Sequence, residues 1–192
     1  MNTEQSQLWQ RMVGFAFDDP AAALPFSARL AKDHGWSPDY ARRVIEEYRR
    51  FVFLAVAAGH PVSPSDAVDQ AWHEHLVYTR SYWDEWCGKT LGRPLHHQPT
   101  RGGAAEAAKF AEWYARTLAS YRAMFGAEPP PDIWPTPAQR EQKAERFARV
   151  DLAKNWVVPK AAARRGAGWV AVGVSSLVLS GCGDRKSTRL NS

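Results

Sequence analysis

Residues 37–59, SPDYARRVIEEYRRFVFLAVAAG, limit the possible fold more than any other stretch. Ser37 offers an N-cap hydroxyl, and Pro38 stands at the first helical position, where a missing N–H costs nothing. Tyr40, Val44, Tyr48, Phe51, Val52 and Ala55 recur at helical spacing, while Arg42, Arg43, Glu46, Glu47, Arg49 and Arg50 fall on the other face. The second half, FVFLAVAA, is apolar all round, so it should sit at the centre of a core, and Gly59 is a good stop. Alternating apolar and polar residues, and Asn-Gly or Asp-Gly hairpin turns, are lacking elsewhere, so other helices must cover this one.

Further helices are legible. Ser63-Pro64-Ser65-Asp66 opens one running to about Tyr78 or Thr79, with Ser63 as the cap and Asp66 three residues on as a capping-box variant. A turn-rich helix carries Tyr82, Trp83 and Trp86 and stops near Gly92-Arg93-Pro94. Residues 104–125 place Phe110, Trp113, Tyr114, Thr117, Leu118, Tyr121 and Phe125 on one stripe before Gly126. The five prolines of EPPPDIWPTP, residues 128–137, forbid regular structure and make a strap whose Ile133 and Trp134 can pack back on the domain. Thr136-Pro137-Ala138-Gln139 then caps a charged helix expected to reach about Trp156. The expected fold class is all-α: a compact bundle of five or six helices followed by a C-terminal apolar, transmembrane-like helix. Nine Trp, eight Phe and six Tyr are ample for its core.

The ends set the expected domain plan. The last nine residues, DRKSTRLNS, resemble a translated sequencing adapter, and without them the net charge falls from +5 to +3 (22 basic against 19 acidic residues). Residues 166–183, GAGWVAVGVSSLVLSGCG, form an uncharged run of 18 preceded by Lys160, Arg164 and Arg165. As a helix it would be roughly 27 Å long, the lower limit for a membrane span, and the basic flank favours a cytoplasmic N-terminal side. Leu179-Ser180-Gly181-Cys182 also matches a lipobox, and a short buried helix is the alternative. The plan is therefore a helical domain over 1–135, a charged linker helix and basic flank over 136–165, a transmembrane or lipobox-like segment over 166–183 and the adapter-like tail over 184–192. It implies membrane association with the N-terminal domain in the cytoplasm. Two cysteines, Cys87 and Cys182, make no disulfide framework.

Four of the six histidines fall within residues 72–97. His73-Glu74-His75 is not the zinc-protease motif, which needs histidines four apart. On a helix His73 and His75 point about 160° from each other. His75 lies toward Trp72, Val68 and Leu76, as an interior histidine bonded to backbone or a tyrosine would. Asp69 and His73, four apart, can touch, and His96 or His97 on the irregular segment after the Gly92-Arg93-Pro94 break can fold back to them. Asp69, His73 and one of His96 and His97 would make a three-ligand set for Zn²⁺ or another divalent metal with a position left for water. The plain alternative is a surface Asp–His pair. Cys87 is a softer candidate ligand or a small core residue, and Glu74 and Glu85 are candidate bases. There is no G-x-S-x-G elbow, phosphate-cradling glycine loop or C-x-x-C pair. Glu46 and Glu47 interrupt the basic RRVIEEYRRF, which argues against nucleic acid as a partner.

The pattern Pro64-Ser65-x-x-Val68-Asp69-x-x-Trp72-His73-x-His75, with Tyr82, Cys87, Gly92, His96-His97 and Pro99, resembles the bacterial glycine-rich domain-containing protein family, similar to the front domain of plant glycine-rich domain proteins. Thr117-Leu118-x-x-Tyr121, Phe125-Gly126 and Trp134-Pro135 extend the resemblance, which covers about residues 45–135. It implies a compact helical domain, often joined to membrane segments or glycine-rich tails, with no established reaction. Two functional expectations follow: a membrane-tethered interaction or scaffold domain with a protein partner, or a metal-dependent hydrolase-like enzyme using the Asp/His cluster.

Overall fold

Helix caps and apolar stripes arrange the helices around one central helix. The computed structural model describes residues 1–144, with side chains through residue 140. Among these residues there are seven helical elements and no strand. They are α1 (Thr3–Val13), α2 (Phe26–His34), α3 (Pro38–Ala57), α4 (Asp66–Val77), a π-helix (Arg80–Leu91), α5 (Ala104–Phe125) and α6 (Pro137–Ala144). The count exceeds the expected five or six because residues 3–34, to which the sequence patterns assigned nothing, hold α1 and α2. Asn2 and Gln5 cap the first in a reciprocal pair, and Gly35 ends the second in the left-handed region at φ 64°.

Helix α3 is the hub. It starts where Ser37 accepts the Tyr40 N–H, and it contacts α1, α2, α4 and α5. Phe51, Val52, Phe53 and Leu54 point around its whole circumference and are each no more than 1 % exposed, as an all-round apolar segment requires. The charged face of α3 is narrower than periodicity suggested, because Glu47 and Arg49 are buried. Arg49 donates to the carbonyls of Met12 and Phe15, satisfying the end of α1, and its guanidinium lies 5.0 Å from the Phe17 ring centre. Glu47 accepts from Trp134 Nε1 at 2.9 Å, from the Tyr121 hydroxyl at 3.2 Å and from Arg50. These partners meet the requirement that a buried charge be paired and hydrogen-bonded. Through Glu47 the proline strap is tied to the hub, with Ile133 and Trp134 buried beneath it.

Two sequence expectations shift. The cap of α4 is Ser65, whose Oγ accepts the Val68 N–H at 3.3 Å; Ser63 instead donates its N–H to Thr117 Oγ1 at 2.9 Å, bracing the loop on α5. The helix over residues 80–91 is a π-helix, ended by Gly92 at φ 72°. A Cβ at Gly88 would sit 3.3 Å from the Trp83 carbonyl oxygen, five residues back, a tight approach within the wide turn. Thr136 and Gln139 cap α6 reciprocally, as expected. The continuation to Trp156, the apolar run over 166–183, Cys182 and the tail over 184–192 lie outside the described residues. Among the described residues no helix is long and apolar enough to cross a membrane.

Candidate metal centre

The two histidines of α4 have opposite surroundings. His75 is 1 % exposed and ringed by Phe15, Phe17, Phe26, Tyr82 and Trp86. Its Nδ1 lies 3.1 Å from the Tyr48 hydroxyl and its Nε2 3.2 Å from Ser81 Oγ, so both ring nitrogens are satisfied. Burial pushes its pKa down to about 3, which keeps the ring neutral. Burial likewise raises the Tyr48 phenol well above its ordinary value. The neighbouring Trp86 Nε1, fully buried, meets no acceptor in hydrogen-bonding geometry among the described residues. This flank of α4 is core.

His73, two residues earlier, faces out with half its side chain exposed. Its Nδ1 stands 3.8 Å from Asp69 Oδ2, one turn back on the same helix. The third member comes from the irregular segment after the π-helix. Tyr82, buried on that helix, accepts from Trp72 Nε1 at 2.9 Å and donates to the Leu95 carbonyl. This chain of hydrogen bonds ties residue 95 against α4 and lays the His97 ring 4.3 Å from that of Trp72. His97 Nε2 then meets Asp69 Oδ1 at 2.8 Å, and its ring centre is 4.4 Å from that of His73.

Asp69, His73 and His97 therefore converge, with one potential ligand atom from each lying within 4.8 Å of the others. In a tetrahedral zinc site, with bonds near 2.0–2.1 Å, donor atoms are about 3.3 Å apart. Inward movement of a half-exposed His73 would narrow the difference. An N/N/O set with one ligand open to solvent fits a divalent transition metal that keeps a water position. Asp69 touches both rings, and Trp72 and Tyr82 hold the third ligand in place, the role outer groups play around metal-binding histidines.

Of the two adjacent histidines the structure brings in His97 and leaves His96 out: His96 is exposed and its ring lies 5.4 Å from that of Trp83. The two rings leave the irregular segment in different directions, His97 toward Trp72 and Asp69 and His96 toward Trp83. Cys87 is buried, and its thiol is pushed up by that burial, which disfavours the thiolate a metal would need. It packs in the core beside Tyr82. Glu74 turns away toward Arg29, 3.9 Å distant, and burial raises its pKa, while Glu85 is exposed on the π-helix. Tyr82 went unassigned a site role on sequence because its effect passes through a backbone carbonyl, which no side-chain motif records.

No curated protein and no solved structure matches the chain. The resemblance to glycine-rich domain-containing proteins over residues 45–135 is overturned, because the family found is a different one and its match ends before the proline strap. The description of the matching family names no reaction, and all three converging residues fall inside the match. By sequence, the stretch carrying the site, residues 25–109, is similar to the family described as UCP032817-like.

Proposed function

We propose that this chain is a helical domain that binds a divalent transition metal, with zinc as the natural choice, through Asp69, His73 and His97, and that residues 166–183 tether it to a membrane. The convergence of the three donor atoms within 4.8 Å carries the metal reading. A metal held there would act as a Lewis acid and acidify a bound water, the chemistry of metal-dependent hydrolysis. The chain's own part is to orient: Asp69 sets both imidazoles, and the Trp72–Tyr82–Leu95 chain fixes where His97 stands.

The membrane tether rests on the uncharged run of 18 residues and its basic flank. An interaction domain that uses no metal is the competing reading, and metal analysis separates the two. The purified chain should hold about one equivalent of zinc after dialysis, and Asp69→Asn and His73→Ala should lose it. Less than about a tenth of an equivalent, unchanged in those variants, would leave only the interaction reading. For the tether, removal of residues 160–183 should shift the protein from the membrane to the soluble fraction, and unchanged fractionation would defeat it.

A further inference from the structure

A serine–histidine contact away from α4 has the geometry of an activated nucleophile. His60 follows Gly59 (φ 71°) in the loop after α3, and its Nδ1 lies 2.8 Å from the Pro61 carbonyl oxygen. A carbonyl only accepts, so Nδ1 carries the proton, and in the neutral ring the lone pair is left on Nε2. That atom stands 2.7 Å from the Ser120 hydroxyl, which therefore donates to it. Nucleophile, base and a third group that orients the base thus lie within hydrogen-bonding reach, the arrangement that activates a serine.

Two elements hold the pair. Ser120 lies within α5, and the loop bearing His60 is pinned one turn earlier on the same helix, where the Ser63 N–H donates to Thr117 Oγ1 at 2.9 Å. Pro61 restricts the backbone beside the imidazole. Both side chains are half-buried, so their contact is partly sheltered from water and still reachable.

Two other serines show what is particular here. Ser81 meets His75 Nε2 at 3.2 Å, but that ring is sealed in the core with Nδ1 facing a hydroxyl, and burial holds its pKa near 3, too weak a base. Ser6, exposed on α1, donates its hydroxyl to the Asn2 carbonyl at 2.9 Å, and a carbonyl is no base.

We propose that Ser120 is a nucleophile, with His60 as its general base, that accepts the acyl group of an activated ester. Oγ bonds to the carbonyl carbon as its proton passes to His60 Nε2; the bond to the leaving oxygen then breaks, and that oxygen takes the proton from Nε2. The products are the acyl ester of Ser120 and a free alcohol or phenol, with nothing oxidised or reduced. The reaction uses none of Asp69, His73 and His97 and stands whether or not a metal binds there.

In the test, the purified chain is treated with p-nitrophenyl acetate, and acetylation of each serine is followed over time by peptide mass spectrometry. Ser120 should acetylate on the order of a hundredfold faster than Ser6, the internal control in the same molecule. His60→Gln should bring Ser120 down toward the Ser6 rate, and Ser120→Ala should abolish the fast release of p-nitrophenolate. A wild-type Ser120 rate less than about tenfold above that of Ser6 overturns the proposal, as does a rate within about twofold of wild type in His60→Gln. Either result leaves the pair as a brace between the loop and α5. If His60→Gln loses its helical circular dichroism, the wild-type ratio of Ser120 to Ser6 decides alone.

Discussion

The two flanks of α4 are built from the same residue type and do opposite work. On one, His75 is enclosed by aromatic rings, hydrogen-bonded at both nitrogens and kept neutral. On the other, His73 stands half in water beside Asp69 and His97. The side chains are identical, so the difference comes from what the rest of the fold brings to each face. Imidazole in a dry aromatic shell is a packing unit with two polar ends, whereas beside a carboxylate and within reach of solvent it is free to bind.

This contrast can be broken, most sharply at His75. His75→Ala should remove a filled ring from the core and leave the Tyr48 hydroxyl without its partner, at a cost of about 4 kcal/mol in urea unfolding. Its zinc affinity, measured on the folded fraction, should change little. His73→Ala should do the reverse, losing on the order of a hundredfold in metal affinity while its unfolding free energy moves by less than about 0.5 kcal/mol. If both variants lose stability and metal equally, the two flanks are one unit and the contrast fails.

Acid sharpens the same comparison. The folded state holds His75 near pKa 3, while in the unfolded chain an imidazole titrates near 6.5. Below about pH 6.5 the unfolded chain binds one more proton, so the stability from a neutral His75 is complete above that pH and is lost as pH falls toward 3. The slope is at most about 1.4 kcal/mol per pH unit. The difference between wild type and His75→Gln across pH 4–7 isolates this contribution, and parallel curves would show that the ring is not held neutral.

Smaller effects test how the third ligand is positioned. Gly88→Ala should strain the π-helix against the Trp83 carbonyl and destabilise by about 1 kcal/mol, read by thermal unfolding. His96→Ala, beside Trp83 and outside the cluster, should leave zinc affinity within about twofold, whereas His97→Ala should match His73→Ala. Equal losses from the two adjacent histidines would contradict the placement.

Helix α3 was readable from its residues because everything needed to form it is local: a Ser-Pro start, helical spacing, and an apolar second half that could only be central. The opposed directions of His73 and His75 follow from helix geometry alone. Burial of Glu47 and Arg49 could not be read the same way, since it depends on a strap more than eighty residues away and on the carbonyl end of α1. Helices α1 and α2 are short and their apolar residues sparse, so their periodicity does not stand out until neighbours cover them.

What this sequence determined by itself was the helical class, the hub helix, and the reach of Asp69 to His73, because these follow from spacing over one or two turns. Only the tertiary structure decided between His96 and His97, and it made the helix expected around Tyr82, Trp83 and Trp86 a π-helix. The choice between the two histidines depends on contacts between segments apart in the chain, above all the Trp72–Tyr82–Leu95 hydrogen bonds, and such contacts leave no local period to read.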